Sequence, residues 1–316
     1  MVDRYPEIEP FQSGTFATGD GNHIYWEMCG NPTGKPAVVL HGGPGSGCTP
    51  GWRRFFDPER YRIVLFDQRG CGRSRPLVSD PEVDLSTNTT HHLIADIEQL
   101  RTALGVDRWL VFGASWGSTL GLAYAEQYPE HVSEVILFSV VGTTEREVDW
   151  VTRDMGRIFP EAWERFRNGL PESDRNGNLA AGYARLLRDP DPVVRAQAAR
   201  DWCAWENTHV SLMPGFEPDP RYQDPEFRLI FARLVTHYWS NAAWLEDFAL
   251  IRDAGKLAGI PGILVSGQMD LSGPPDFAWK IARAWTGCEF VLVGNGGHGT
   301  GMTDILIAAT NRFASR

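Results

Sequence analysis

The chain has 316 residues, an ordinary apolar share of 42% and a formal charge of −10 at pH 7. This acidity argues against nucleic acid or an anionic membrane surface as a partner. No apolar run reaches transmembrane length, the N-terminus lacks a signal-like segment, and the five scattered cysteines without a CxxC pair are typical of reduced thiols. We therefore expect a cytoplasmic protein with a core and room for an insertion, and the oligomeric state stays open.

The first half of the chain alternates short apolar runs with helical patterns. Residues 12–18 and 22–29 predict an antiparallel hairpin around a Gly-Asp-Gly turn. Buried parallel strands are predicted at residues 37–40, 62–66, 109–112 and 134–138, and helices at 90–104 and 118–127.

The strand pattern stops from about residue 143 to residue 245. Helical segments rich in Arg, Glu and Trp replace it at residues 158–163, 193–209 and 225–239. Strands at 262–266 and 289–293 and helices at 276–285 and 303–313 then resume the alternation. The pattern predicts an α/β core formed by residues 1–142 and 246–316, with a helical cap of residues 143–245 over the carboxyl ends of the strands.

The most informative motif is Gly113-Ala114-Ser115-Trp116-Gly117, which lies between a predicted strand and a predicted helix. In that context G-x-S-x-G indicates a sharp turn that exposes a nucleophilic serine, and the alternative is an ordinary glycine-rich turn. The glycines avoid collisions where strand and helix meet, and the helix N-terminus favours negative charge. We expect Ser115 to be the nucleophile and the backbone N–H of Trp116 to be one oxyanion donor.

The base that activates Ser115 is sought among the histidines that follow it, because strand–serine–helix sites have the chain order Ser, acid, His. We call the sharp turn at Ser115 the serine elbow. His131 follows the helix that comes after this elbow, and His209 and His237 lie in the predicted cap. Only His298 follows a core strand, in a loop with glycines on both sides that lets it bend back toward the serine. We expect His298 to be the base, and a surface-loop histidine is the alternative.

The orienting acid is expected just after a core strand that precedes the histidine. Asp270 follows the strand at residues 262–266. Asp276 and Asp304 compete with it, but both lie at or near predicted helix starts, where capping explains them. We expect Asp270 to accept the Nδ1–H of His298 and to stabilise the imidazolium.

The second oxyanion donor is expected from residues 41–45, which read His-Gly-Gly-Pro-Gly after the strand at 37–40. Glycines let the main chain approach a substrate closely. Gly43 is the expected donor, Gly42 is its rival, and a plain turn is the alternative. His41 is expected to be a structural hydrogen-bonding residue rather than a catalyst.

Residues 67–74, Asp-Gln-Arg-Gly-Cys-Gly-Arg-Ser, follow another strand. They lack the spacing and the lysine of a phosphate-binding loop and predict a structural turn beside the site. Metal-ligand spacing is absent from the sequence, since the adjacent His91 and His92 diverge on a predicted helix. We expect neither a metal nor a cofactor.

Together these motifs resemble those of the proline iminopeptidases over nearly the whole chain. The resemblance rests on residues 41–45, 67–74 and 113–120 and on two cap motifs, at 158–163 and at 202–206, the latter reading W-x-x-W-E. It implies the α/β-hydrolase fold, with a mostly parallel sheet and a helical cap in the second half, and release of an N-terminal proline through an acyl-enzyme.

The resemblance also implies a binding site for the free α-amino group of the substrate. In the family the glutamate of W-x-x-W-E binds that amine, which places the role on Glu206 and a supporting contact on Trp205. A carboxylate near tryptophans suits a cationic amine, and a solvated helix glutamate is the alternative. A second amine-binding glutamate of the family, in a segment like A-R-x-E-x-H-Y, corresponds to Val235 in this chain.

A further departure concerns residues 138–142, which read Phe-Ser-Val-Val-Gly where the family has an R-G-x-F-like segment lining the proline pocket. Three functions therefore stay open: an aminopeptidase for an N-terminal proline or another small residue, a relative that hydrolyses another small amide, ester or lactone, and a non-catalytic binding protein. The presence of Ser115, Asp270 and His298 argues against a non-catalytic binding protein. Glu206 favours the aminopeptidase, and Val235 favours the hydrolase of another acyl group. The expected partner is a small peptide or amide.

Overall fold

The computed structural model describes residues 4–212 and 215–315. The strands in these ranges are β1 Pro10–Ala17, β2 His23–Gly30, β3 Lys35–Leu40, β4 Tyr61–Phe66, β5 Trp109–Ala114, β6 Val132–Phe138, β7 Gly262–Gly267 and β8 Cys288–Val293. They form an eight-stranded sheet in the order β1-β2-β4-β3-β5-β6-β7-β8. β1 pairs antiparallel with β2 and β2 with β4, and the other neighbours are parallel. The predicted mostly parallel sheet is confirmed.

The central strands contain continuous apolar runs because both faces of the sheet are covered. Val38 and Leu40 of β3 belong to one buried cluster, and Val39 between them belongs to the other. Phe112 of β5, the partner of Val39 in the parallel pair, lies in the same cluster as Val39. Successive side chains of a strand point to opposite faces, so a strand buried on both sides gives a continuous apolar run.

The α-helices of the described ranges are α1 Thr90–Ala103, α2 Trp116–Gln127, α3 Glu145–Thr152, α4 Pro160–Asn168, α5 Leu179–Leu186, α6 Pro192–His209, α7 Pro225–Trp239, α8 Ala249–Asp253, α9 Asp276–Ala284 and α10 Thr303–Phe313. α2 begins at Trp116 rather than at residue 118, because Ser115 already turns the chain into the helix. α3 and α5, with 8 residues each, were not predicted as separate helices because short helices give a weak periodic signal. Within residues 4–212 and 215–315, no helix has the length and apolarity needed to cross a membrane.

Helices α3 to α7 lie between β6 and β7 in the sequence and enclose a buried cluster of their own. It contains Phe166, Trp202 and Trp205, with the ring centroids of Phe166 and Trp205 5.2 Å apart. α6 and α7 begin at prolines that follow Asp191 and Asp224, whose side chains accept N–H bonds from the first turns. The bounds of the predicted cap domain stay a prediction, but these helices have a core separate from the sheet.

The strand register brings the predicted site loops to one edge of the sheet. Leu40 of β3 pairs with Gly113 of β5, so the loop after β3 emerges beside the elbow. Gly267 of β7 pairs with Val293 of β8, so the loops after these two strands also emerge together. Carboxyl ends of parallel strands are where sheets of this kind place their sites.

Candidate active site

Ser115 occupies a sharp turn between β5 and α2. Its φ is 53° and its ψ is −127°, a conformation that non-glycine residues rarely adopt and that costs about 1–3 kcal/mol. The neighbouring glycines are required by close packing: a Cβ on Gly113 would lie 2.4 Å from the carbonyl oxygen of Gly117, and one on Gly117 would lie 2.0 Å from that of Leu40. The turn has the geometry that the G-x-S-x-G motif predicts.

Ser118 holds the strained turn in place. Its backbone N–H and its Oγ donate to the carbonyl oxygen of Ser115 at 2.7 and 2.6 Å. The same Oγ accepts the N–H of Val141, after β6, at 3.0 Å. These contacts restrain the backbone of Ser115 through Ser118 and the segment after β6, which is what a strained residue needs to persist.

Asp270 and His298 meet at the ends of β7 and β8. The Nδ1 atom of His298 lies 2.8 Å from Oδ2 of Asp270, which is 2% exposed. The other oxygen of Asp270 accepts the N–H of Gly273 at 2.9 Å, and the N–H of Gly299 donates to Oγ of Ser139 at 2.7 Å. Both loops are therefore held by hydrogen bonds on either side of the Asp–His contact.

The electrostatic environment of His298 raises the pKa of its ring. Burial acts to lower the pKa of His298, but the charge and hydrogen bond of Asp270, together with the charge of Glu206, raise it above its ordinary value.

The acids that compete with Asp270 for the contact to His298 lie elsewhere: Asp276 pairs with Lys280 in the first turn of α9 at 2.7 Å, and Asp304 lies in the first turn of α10. The Asp–His arrangement suits a general base whose tautomer the acid fixes.

A cavity of about 660 Å³ lies between the sheet edge and helices α3, α6 and α7. Ser115, His298, Gly42, Gly43 and Trp116 line it from the core. Its apolar wall includes Trp52, Phe138, Val141, Val148, Val151 and Phe231, so the segment at 138–142 contributes to it as the resemblance implies. An apolar cavity with a few convergent polar groups is the usual form of a small-molecule site.

Glu206 lines this cavity from α6 and is held by two donors. Nε1 of Trp202 donates to its Oε1 at 3.0 Å, and Nε2 of His209 lies 3.0 Å from its Oε2. The side chain is 13% exposed. It is therefore not the solvated glutamate of the alternative, and its negative charge faces the cavity that contains Ser115.

Trp205 and Val235 do not line the cavity, so the structure gives no support to their assignment as substrate contacts. Residues four apart on a helix share a face, and for this reason Trp202, not Trp205, reaches Glu206. Trp205 is 2% exposed and donates its Nε1–H to the carbonyl oxygen of Val151 at 3.2 Å. Val235 is fully buried in the cluster enclosed by α3 to α7.

Another carboxylate in the cavity, Glu147, caps α3. Its Oε2 accepts the backbone N–H groups of Gly142 and Thr144 at 2.9 and 3.1 Å. Burial raises the pKa of Glu147 against the lowering effect of these hydrogen bonds. Its charge is thus committed to the helix end, and Glu206 is the better candidate for binding an amine.

Sequence reasoning missed two contacts between the cap helices and the loop after β7. Nδ1 of His209 lies 2.7 Å from Oγ of Ser272, and Nε1 of Trp150 donates to the carbonyl oxygen of Leu271 at 2.7 Å. Because a carboxylate only accepts, the ring hydrogen of neutral His209 lies on Nε2, toward Glu206, and Ser272 donates to Nδ1. The spacing of Glu206 and His209 was a usable signal, since residues three apart on a helix are neighbours.

The fold, the serine elbow and the Asp–His contact together define a serine hydrolase of the α/β-hydrolase class. Comparison with known proteins agrees, since a family described as alpha/beta hydrolase fold matches residues 35–304. A probable proline iminopeptidase of Streptomyces coelicolor is 54% identical over 98% of this chain and 97% of its own length. A proline iminopeptidase of Xylella fastidiosa is 42% identical over 99% of this chain and 100% of its own. The chain belongs to the proline iminopeptidase family, as its motifs predicted.

A solved structure shows the same fold. The crystal structure of a proline iminopeptidase from Mycobacterium smegmatis superposes with a TM-score of 0.62, with 20% identity, and the match covers 96% of this chain and 98% of that one. At this identity the likeness concerns the fold alone.

Proposed function

We propose that this protein is a serine aminopeptidase that releases an N-terminal proline from small peptides or amides through an acyl-enzyme. The observation that carries the proposal is one cavity with Ser115 and the Asp270–His298 pair on the core side and Glu206 on the helical side. The family to which the chain belongs supports the choice of proline.

The reaction follows from the positions of these groups. Oγ of Ser115 attacks the carbonyl carbon of the first residue while His298 takes the hydroxyl proton and Asp270 holds the imidazolium. The N–H groups of Trp116 and Gly43 stabilise the oxyanion, where loss of one donor typically costs about 10²–10³ in rate. His298 then protonates the leaving amine, and water, activated by the same histidine, hydrolyses the prolyl ester.

Glu206 selects substrates that carry a free amine. An N-terminal proline presents a secondary ammonium with two N–H donors, and each oxygen of Glu206 keeps a lone pair after accepting from Trp202 or His209. Val235 is buried and does not line the cavity, so we assign amine binding to Glu206. Because Glu206 and Ser115 line the same cavity, an ammonium bound at Glu206 would direct the first peptide bond to the serine.

We also propose that the enzyme acts in the cytoplasm. The cysteines at 29, 48, 71, 203 and 288 are free thiols, and those at 29, 71 and 203 are buried. Free buried thiols in a chain of this size suit a reducing compartment.

The test is a substrate panel of prolyl and alanyl p-nitroanilides and a short amine-free ester. We expect the prolyl amide to have the highest kcat/KM, Ser115→Ala to abolish its turnover, and a fluorophosphonate to label the wild type but not this variant. Ser13→Ala, an exposed serine of β1, is the matched control and should behave as the wild type. Preference for the ester over every aminoacyl amide would instead favour the hydrolase of another acyl group.

A further inference from the structure

We propose that Gln68 is a positioning residue for the oxyanion hole, because its side chain joins the two main-chain segments that supply the hole's donors. The inference rests on the proposed acyl transfer at Ser115. Gln68 belongs to the motif at residues 67–74, is 2% exposed and does not line the cavity. Any effect it has on the reaction must therefore pass through its neighbours.

Three hydrogen bonds connect Gln68 to both sides of the hole. Its backbone N–H donates to Nε2 of His41 at 3.0 Å, and its side-chain Nε2 donates to the carbonyl oxygen of His41 at 2.9 Å. Its Oε1 accepts the indole N–H of Trp116 at 2.9 Å. His41 opens the loop after β3, and Trp116 directly follows the nucleophile.

The chemistry of these partners requires an amide at position 68. An indole nitrogen can only donate, and a main-chain carbonyl can only accept, so the oxygen of Gln68 must face Trp116 and its nitrogen must face His41. A glutamate of the same shape would place an oxygen against the carbonyl of His41. A buried amide with both partners satisfied holds a single orientation.

His41 connects the fixed orientation of the Gln68 amide to the glycines of the loop after β3. Because Nε2 of His41 accepts from Gln68, its ring hydrogen lies on Nδ1, which is 2.9 Å from the carbonyl oxygen of Gly42. Burial lowers the pKa of His41 and so keeps this neutral tautomer. The bond fixes the direction of the Gly42 carbonyl.

The direction of that carbonyl determines the direction of the next N–H. In a planar trans peptide unit, the carbonyl of Gly42 and the N–H of Gly43 point to opposite sides. The N–H of Gly43 therefore points away from His41, while Gly42 lies against the nucleophile, where a Cβ would be 3.3 Å from Cβ of Ser115. This geometry favours Gly43 over Gly42 as the oxyanion donor.

Trp116 supplies the other donor and is fixed by the same glutamine. Its indole is 1% exposed, and its ring centroid lies 4.7 Å from that of Tyr238. The hydrogen bond to Gln68 holds the indole against rotation and so restrains the first residue of α2, whose N–H is the other proposed donor. One buried side chain thus connects the segments that carry both donors.

The experiment compares Gln68→Met and Gln68→Glu with the wild type. We expect kcat for the prolyl p-nitroanilide to fall about 10- to 100-fold, the scale of a misplaced oxyanion donor, with KM unchanged. Affinity for prolinal, whose aldehyde carbon adds the serine oxygen to form a tetrahedral adduct, should fall by a similar factor. Affinity for free proline, which forms no adduct, should stay the same. Gln99→Met, an exposed glutamine of α1, is the matched control.

The labelling rate of Ser115 by a fluorophosphonate separates this inference from the proposed function. The reagent needs the oxyanion hole but no proline, so slower labelling of the Gln68 variants supports positioning even if the wild type cleaves no prolyl amide. Wild-type labelling rates in folded Gln68 variants, or a loss confined to KM and proline affinity, would overturn the inference.

Trp116→Phe provides a second variant if Gln68→Met does not fold. It keeps the main-chain N–H and removes only the indole bond to Gln68. We expect slower labelling in this variant too, and no further loss in the double variant, because both changes break the same link. Labelling at the wild-type rate in Trp116→Phe would show that the hydrogen bond between Trp116 and Gln68 does not position the oxyanion hole.

Discussion

Replacing Glu206 by glutamine tests whether the carboxylate of Glu206 binds the α-amino group of the substrate. The change removes the charge but keeps the local hydrogen bonds: the amide oxygen can accept from Trp202, and the amide nitrogen can donate to Nε2 of His209 in its other tautomer. Ser272 would then accept from Nδ1 of His209. We therefore expect a folded protein in which the negative charge is the main loss.

The magnitude follows from the burial of this carboxylate. Its side chain is 13% exposed, so solvent screens a pair with a substrate ammonium little, unlike a surface pair worth about 0–1 kcal/mol. Breaking a desolvated charge pair costs about 2–5 kcal/mol, or about 30- to 5000-fold in kcat/KM. The loss should fall on prolyl amides and spare an ester that has no amine.

The assay is the ratio of kcat/KM for the prolyl p-nitroanilide to that for a short amine-free ester. Glu206→Gln should lower this ratio, whereas Glu164→Gln, an exposed glutamate of α4, should leave it unchanged. An unchanged ratio in Glu206→Gln would refute the assignment of Glu206 to the amine, and the hydrolase of another acyl group would become the better proposal.

Three further predictions follow from burial, packing and charge. His298 must be neutral to accept a proton, and its pKa is raised. The kcat/KM for the amine-free ester should therefore fall on acidification with a midpoint above the ordinary value of 6.5. Glu206→Gln removes a negative charge that raises the pKa of His298, so this variant should have its midpoint at lower pH. A pH profile with the same midpoint in both proteins would contradict this. Gly113→Ala, which places a Cβ 2.4 Å from a carbonyl oxygen, should lower Tm, whereas Gly255→Ala meets nothing within 4 Å; equal Tm values would refute the close approach. Val235→Glu buries a carboxylate at a site that is 0% exposed, so Tm should fall without a gain in kcat/KM for prolyl amides, and a gain at unchanged Tm would show that residue 235 reaches the amine.

The sheet could be predicted because burial on both faces leaves a strong apolar signal in β3 to β7. The ends of elements were harder, and α2 shows the reason. Its first residue, Trp116, follows Ser115, whose backbone angles lie outside any regular helix, so no propensity marks the start. The short helices α3 and α5 contribute residues to the buried cluster enclosed by α3 to α7, and short helices of this kind are stabilised mainly by such packing.

Chain order and loop glycines restrict the candidate site to Ser115, His298 and Asp270, and the structure brings the last two into contact. Contacts between distant segments leave no such mark. Gln68 and Trp116 are 48 residues apart, and His209 and Ser272 are 63 apart. The prediction that Trp205 contacts substrate has no support from the structure, since helix geometry directs the two tryptophans of the motif to different neighbours.

The bonds from the cap to the loop after β7 limit how this enzyme could acquire a new specificity. Trp150 and His209, from two cap helices, hold Leu271 and Ser272, which directly follow Asp270. Helices α3 and α6 are therefore joined by hydrogen bonds to the segment that follows Asp270, although more than a hundred residues separate α3 from β7. A chimera that receives the cap helices of a relative should also receive the relative's residues at positions 271–272. Without them, the loop would no longer match the new helices, and the position of Asp270 would be disturbed although the graft leaves that residue unchanged.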